Sequence, residues 1–190
     1  MPHLLNALPE ASYHVYVDNL FTSPQLFEHL RKMNIASTGT CRISSGVVQD
    51  LVDLKKHKEK GPNAMPWGET HSFPTESGLV CQQGFQDGAF ALLMSTYWDG
   101  KTKVLRLRKR PKQTAGNATV SRAPYGPGEA VKKLWIPESY DAYNQFMGAV
   151  DLGDQLQGHN GGLRRVKRGP VQALYQYLLL IILSNYYLIC

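Results

Sequence analysis

A short run of β-branched and aromatic residues near the N-terminus does most to constrain the fold of this chain. Residues 14–17 read His-Val-Tyr-Val and are followed at once by Asp18 and Asn19, which predicts a buried strand that ends in a turn. Ser23 and Pro24 then provide a helix N-cap and a proline at the first helical position. The sequence therefore predicts a strand that leads through a tight turn into a helix.

The residues after this turn predict a helix and then a second strand. Apolar side chains keep helical spacing up to about Asn34, at Leu26, Phe27, Leu30 and Met33. Residues 35–42 fit a second strand, which Gly39 weakens. Residues 47–60 are amphipathic and then strongly basic, and residues 61–78 are rich in proline and glycine, which predicts a loop.

The middle of the chain is typical of β-structure. Strands are predicted with turns between them at Asp87-Gly88 and Asp99-Gly100, over residues 79–85, 89–98 and 103–107. We interpret these strands as a β-meander inserted between two α/β segments. Residues 113–128 then predict a loop, and residues 132–137 predict an edge strand.

The last part of the chain predicts helices. Ser139 or Asp141 can cap a helix that runs to about Gln157, although Gly148 and Gly153 would either pack closely in it or break it. We therefore predict three parts: an α/β segment over residues 1–42, an insertion over residues 43–137, and a helical C-terminal segment over residues 138–190.

The composition of the chain indicates its cellular compartment and the class of partner that it binds. The net charge of +6 favours a polyanionic partner, although many basic proteins bind no nucleic acid. The cysteines at positions 41, 81 and 190 are few and far apart, which argues for a reducing compartment and against a disulfide framework or a structural zinc site. The first residues do not resemble a signal peptide.

One segment could be considered for a membrane span. Residues 171–189 follow Pro170 and are mostly apolar, and a helix of about 20 residues can cross a bilayer. Polar residues interrupt the segment at Gln172, Gln176, Ser184 and Asn185. We favour a buried core helix and expect no membrane association.

Three aspartates are candidate catalytic residues. Asp18 is predicted at the carboxyl end of a buried strand, where α/β sheets place reactive groups, although Asp-Asn could also simply start a turn. Asp151 and Asp154 are neighbours on one helix face, which alone would also fit a solvated acidic patch. Together, a carboxylate from a strand end and one from a distant helix match the needs of a two-metal phosphoryl-transfer site with Mg²⁺.

Two basic segments are candidates for phosphate contacts. The predicted DNA-binding residues are Arg106, Arg108, Lys109 and Arg110 in the first segment, and Arg164, Arg165, Lys167 and Arg168 in the second. Leu105 and Leu107 alternate with the first two arginines, so that strand would have one basic and one apolar face. The alternatives are a solubilising surface or a nuclear import signal. The tryptophans are interpreted as core or loop anchors.

Several segments carry a resemblance to a known family. They are YVDNLFTS at residues 16–23, TGTCR at 38–42, LLMST at 92–96, YNQFMGAVDLGDQ at 143–155 and RRVKRGP at 164–170. In this order they resemble the catalytic region of piggyBac transposases and their host-domesticated descendants. The resemblance implies an α/β, partial RNase H-like fold with an inserted β-rich subdomain, in which residues 1–42 and 138–190 form one partial core. It also implies DNA strand cleavage and joining by three aspartates with Mg²⁺, which Mn²⁺ could replace.

The resemblance assigns roles to particular residues. Asp18 matches the second catalytic aspartate and Asp151 the third, and both would be metal ligands. Asp154 matches an auxiliary acidic position, and Asn19 matches the asparagine after the second aspartate. DNA is the implied partner, with a homodimer allowed, and the nucleus is the implied location.

The chain also departs from the family pattern. The first catalytic aspartate is expected upstream, and Glu10 is the one acidic residue before Asp18. Read as a fragment, the chain is expected to expose a sheet edge and to be inert toward DNA on its own. The alternative is a non-catalytic, domesticated module that binds nucleic acid or protein.

Overall fold

A computed structural model describes residues 11–58 and 64–148, together with Leu174, Tyr175, Leu178, Leu179 and Ile182. The chain divides into two compact units, residues 1–145 and residues 146–190. In the second unit the five described positions after Pro170 are helical, in agreement with the helix predicted there. Among the described residues, no helix is long and apolar enough to cross a membrane.

The first unit combines strands and helices. The strands are β1 (His14–Val17), β2 (Ala36–Thr40), β3 (Thr70–Pro74), β4 (Cys81–Gln86), β5 (Phe90–Ser95), β6 (Lys103–Lys109) and β7 (Val131–Pro137). The helices are α1 (Pro24–Lys32), α2 (Gln49–Lys58), α3 (Ala118–Arg122) and α4 (Glu138–Phe146).

The predicted strand, helix and second strand at the N-terminus are confirmed. The Oγ atom of Ser23 accepts a hydrogen bond from the amide of Leu26 at 3.3 Å and so caps α1, with Pro24 in its first turn. Strands β1 and β2 are parallel neighbours, with Val17 opposite Gly39. Their carboxyl ends therefore meet at the same edge of the sheet.

Two strands of the predicted meander, β4 and β5, join this first pair in one mixed sheet, together with β3. The order is β1-β2-β5-β4-β3, and β5 pairs antiparallel with β2. The hydroxyl groups of Thr38 and Ser95 lie 2.8 Å apart across that pair. The last strand of the predicted meander, β6, pairs with β7 in a second sheet. The division at residues 42 and 137 stays a prediction. Within its middle part, β3, β4 and β5 join β1 and β2, whereas β6 and β7 form a sheet of their own.

Two segments predicted as loops contain regular structure. Strand β3 lies within residues 61–78, at the edge of the sheet, and pairs along its whole length with β4 despite the nearby prolines and glycines. The short helix α3 lies within residues 113–128. In both cases pairing or packing outweighs a composition that is typical of loops.

Side chains pack on both faces of the mixed sheet. On one face lie Phe85, Leu93, Ile136, Tyr140 and Tyr143, so that α4 and the β6–β7 sheet cover it. On the other face lie two clusters, one of Val17, Phe27, Val80 and Met94, and one of Leu51, Met65, Phe90 and Leu92. Tyr140 is anchored in the first layer, where its hydroxyl donates to the carbonyl of Ala91 at 2.8 Å, and burial raises the pKa of this tyrosine.

Gly39 allows β2 to approach the end of β1 closely. A Cβ atom at this position would lie 2.4 Å from the Oγ1 atom of Thr22 and 2.7 Å from the carbonyl oxygen of Val17. A backbone atom cannot move aside as a side chain can. The glycine that weakened the sequence prediction is therefore the residue that this parallel pair requires.

We expect Gly39→Ala to destabilise the protein by about 1–3 kcal/mol, because the added methyl group overpacks a buried contact. Gly116→Ala is the matched control, since a Cβ atom there meets nothing within 4 Å. Both changes reduce the entropy of the unfolded chain alike. Urea unfolding measures the difference, and equal stability of the two variants would contradict this role of Gly39.

Candidate active site and basic surface

Asp18 lies at the carboxyl end of β1, as predicted, and its side chain is exposed. Its carbonyl oxygen accepts hydrogen bonds from the amide of Phe21 at 3.0 Å and from the hydroxyl of Thr22 at 3.1 Å. Within the described part of the chain, its carboxylate has no hydrogen-bond or ion-pair partner. The residue thus starts a turn with its backbone and leaves both carboxylate oxygens available as ligands.

A side-chain hydrogen bond links this turn to the end of β2. The Nε atom of Arg42 donates to the Oδ1 atom of Asn19 at 3.1 Å. Arg42 comes just after β2, so the contact joins the carboxyl ends of the two parallel strands. Sequence reasoning did not assign Arg42 to the site, although its position after the second strand of the pair was the available signal.

Tyr143 connects α4 to the same edge of the sheet. Its hydroxyl donates to the carbonyl oxygen of Val17 at 3.3 Å and lies 3.2 Å from the Oγ1 atom of Thr40. Because the tyrosine hydroxyl donates its proton to the carbonyl of Val17, the hydroxyl of Thr40 is the donor in the second hydrogen bond and the tyrosine oxygen is the acceptor. In the sequence, Tyr143 is the first residue of the motif at 143–155, and this polar anchor next to Asp18 was not predicted.

The other predicted acidic residues are not among the described residues. Asp151 and Asp154 lie further along the chain segment that begins with α4, and their predicted approach to Asp18 stays a prediction. Within the residues that the structure describes, no group of three or more histidine, cysteine, aspartate or glutamate side chains could hold a metal ion. Helix α4 ends at Phe146, and Met147 and Gly148 lie in a turn, whereas the rest of the helix predicted to run to Gln157 lies outside the described residues.

Two of the predicted DNA-binding arginines in β6 form ion pairs with the protein itself. Arg106 binds Asp141 through two hydrogen bonds of 2.8 and 2.6 Å, and these bonds raise the pKa of the arginine. Arg108 lies 2.5 Å from Asp87, which also accepts a hydrogen bond from the indole of Trp67. Their charges are thus partly compensated, and contact with DNA stays a prediction for both.

The remaining predicted basic residues differ in exposure. Lys109 is exposed, whereas Arg110 is half-buried and its Nε atom is buried without a hydrogen-bond partner among the described residues. Arg164, Arg165, Lys167 and Arg168 lie outside the described residues.

The two described cysteines, Cys41 and Cys81, carry free thiols. Burial raises the pKa of Cys41 to about 12 and raises that of Cys81 as well. A thiol with so high a pKa is almost entirely protonated at neutral pH and is a poor nucleophile. Cys41 is therefore not a candidate for nucleophilic catalysis.

We expect Tyr143→Phe to loosen the turn at Asp18, because the carbonyl of Val17 would lose its buried donor, at a cost of about 1–3 kcal/mol. Amide hydrogen exchange would detect this as faster exchange of the Phe21 amide. Tyr125→Phe is the matched control, since that hydroxyl donates to the carbonyl of Lys109 at 3.1 Å, away from Asp18. Equal protection of Phe21 in both variants would contradict the anchoring role.

Comparison with known proteins gives a family and a fold. The family described as Transposase IS4 matches residues 2–187. A solved structure, the cryo-EM structure of a piggyBac transposase synaptic complex with hairpin DNA, matches 97% of this chain with a TM-score of 0.62 and 19% sequence identity. The match covers 32% of that transposase, so this chain spans about a third of its length. The chain therefore shares its fold with part of that piggyBac transposase and belongs to the Transposase IS4 family.

Proposed function

We propose that this chain contributes Asp18 and Asp151 to a divalent-metal site that cleaves and joins DNA strands, on a core of RNase H-like type. One observation carries the proposal: the exposed carboxylate of Asp18 stands at the carboxyl end of β1, directly after the carbonyl that anchors Tyr143. Tyr143 of α4 thus lies next to Asp18, and Asp151 follows α4 in the sequence. Membership in a transposase family supports the same reaction class.

The donor atoms of Asp18 fit a magnesium ion. Mg²⁺ prefers hard oxygen ligands, keeps several of its waters and is typically held by one or two carboxylates. Asp18 would supply one carboxylate and Asp151 the second, with Asp154 as an auxiliary acid. When bound, such ions stabilise the attacking and leaving oxygens of an in-line displacement at phosphorus.

The side chains around Asp18 would orient it for this role. The hydrogen bond between Arg42 and Asn19 restrains the turn on one side, and Thr22 closes it through the carbonyl of Asp18. Because these contacts use backbone and neighbouring side chains, they leave the carboxylate itself available. We further propose that DNA is the partner and that the protein acts in the nucleus. Its basic segments would also serve as a nuclear import signal.

We expect Asp18→Asn and Asp151→Asn each to weaken Mn²⁺ binding by roughly tenfold or more, because each removes one charged oxygen ligand. Isothermal titration calorimetry with Mn²⁺ alone measures this without relying on cleavage. Asp50→Asn is the matched control, since Asp50 is exposed in the first turn of α2. If Asp18→Asn binds Mn²⁺ as the control does, the proposed metal site is wrong and a non-catalytic module becomes the better description.

We expect DNA binding to depend on salt through the second basic segment. Replacing Arg164, Arg165, Lys167 and Arg168 with Ala should weaken binding to all duplex sequences alike. The slope of log K against log salt should become shallower by about 0.9 for each phosphate that the variant no longer neutralises. Fluorescence anisotropy with labelled duplexes at several salt concentrations measures the slope.

A paired control separates direct binding from net charge. Arg31 and Lys32 form an adjacent, exposed basic pair on α1 and can be replaced with Ala for comparison with the Arg164 and Arg165 half of the segment. Both variants lose the same charge. An equal effect of the two pairs, or unchanged affinity at low salt, would count against direct phosphate contacts by residues 164–168.

A further inference from the structure

The sheet of β6 and β7 has an outer face that combines lysines with exposed apolar side chains. We call it the ribbon face, and its residues are Lys103, Leu105, Leu107 and Lys109 of β6 with Val131, Lys133 and Trp135 of β7. These residues alternate along each strand with side chains that point to the opposite side. On that inner side Leu134 and Ile136 are buried and Val104 packs against the cluster around Leu93.

The apolar side chains of the ribbon face are unusually exposed. Leu107 is 68% exposed, Trp135 is 58% exposed and Leu105 is 44% exposed. Leu105 lies directly opposite Trp135, and Leu107 lies directly opposite Lys133. Contiguous exposed apolar groups of this kind mark a binding surface more often than isolated ones do. This arrangement also corrects the interpretation of Trp135 as a core or loop anchor.

The ribbon face is positively charged, which favours an anionic binding partner. Its residues include lysines at positions 103, 109 and 133 and contain no carboxylate. Lys103 lies 3.5 Å from the carbonyl of Gly68, whereas Lys109 and Lys133 have no side-chain partner among the described residues. On the inner side, by contrast, Arg106 and Arg108 are paired with Asp141 and Asp87. The described acids near this sheet thus compensate the inner arginines and leave the outer lysines available.

The spacing of these groups suits an unpaired nucleotide chain. Lys109 and Lys133 are diagonal neighbours across the strand pair, roughly 7–8 Å apart, and Trp135 follows Lys133 on the same face. Proteins that hold single-stranded nucleic acid combine cations that track the backbone with aromatic rings on which bases stack. An acidic protein surface would satisfy the lysines but gives no comparable use for a flat, exposed indole.

We propose that the ribbon face binds unpaired nucleotides, with a base stacked on Trp135 and phosphates held by Lys109 and Lys133. The inference rests on the proposed function, in that it takes DNA as the partner, and it adds a recognition site for single-stranded segments. It assigns to Trp135 and Leu105 a role that neither the metal site nor the basic segment at residues 164–168 requires.

The test uses the full chain and a 20-nucleotide oligothymidylate. Binding should quench tryptophan fluorescence, and Trp135→Ala should raise the Kd roughly 5- to 150-fold, the range found for loss of one stacking platform. Trp135→Phe should raise the Kd less, since the phenylalanine keeps an aromatic ring on which a base can stack. Tyr97→Ala is the control, because Tyr97 is 63% exposed but lies outside the ribbon face.

The lysines are tested through salt dependence. Changing Lys109 and Lys133 together to Gln should make the slope of log K against log salt shallower by about 0.7 for each phosphate of a single strand that they hold. The change of Arg31 and Lys32 to Gln removes the same charge from α1 and should leave the slope near that of the wild-type chain. Circular dichroism of each variant confirms that it is folded.

The possible results separate this inference from the proposed function. If the chain binds duplex and single-stranded DNA but Trp135→Ala and Trp135→Phe bind oligothymidylate as the wild type does, the ribbon face is not a nucleotide site and the proposed function stands. A loss of self-association in sedimentation by these variants, with oligothymidylate binding unchanged, would make the face a protein interface instead. A wild-type chain that binds neither form of DNA contradicts the proposed function itself.

Discussion

The end of β1 is held by contacts that meet at Val17, and the geometry of the candidate site depends on them. The side chain of Val17 lies against Gly39 of the neighbouring parallel strand, and its carbonyl oxygen accepts a hydrogen bond from Tyr143 of α4. These contacts join β1, β2 and α4 at one edge of the sheet. Because the next residue is Asp18, its carboxylate projects from a backbone that is restrained on both sides.

The sequence predicted those parts of the fold in which the signals are local. Ser23 and Pro24 define the start of α1, and the run of β-branched and aromatic residues defines β1. The joining of β5 to β2 could not be predicted in the same way, because it depends on pairing between residues far apart in the chain. Strand β4 also carries buried glutamines, and its Gln83 is satisfied by Ser139 at 2.6 Å and by the carbonyl of Trp98 at 2.7 Å. Polar residues with such distant partners look like surface residues in a sequence.

In the candidate site, too, the sequence predicted the locally determined residue and missed the one that depends on distant packing. The position of Asp18 followed from the strand that precedes it, whereas the anchor at Tyr143 depends on how α4 packs against the sheet. In β6 the alternation of arginine and leucine predicted one basic and one apolar face. The structure has both faces but in an unexpected orientation, since Arg106 and Arg108 meet Asp141 and Asp87 while the leucines are exposed. Sequence alternation gives two faces but does not say which one the protein covers.

The central proposal is that Asp18 and Asp151 share a metal ion. Anomalous diffraction at the manganese absorption edge, from crystals of this chain grown with Mn²⁺, tests it most directly because it locates the ion and its ligands together. The account predicts an anomalous peak bonded to a carboxylate oxygen of each of the two aspartates. An arrangement with the two side chains on opposite faces of the sheet, or an ion bound elsewhere with Asp18 in solvent, would contradict it.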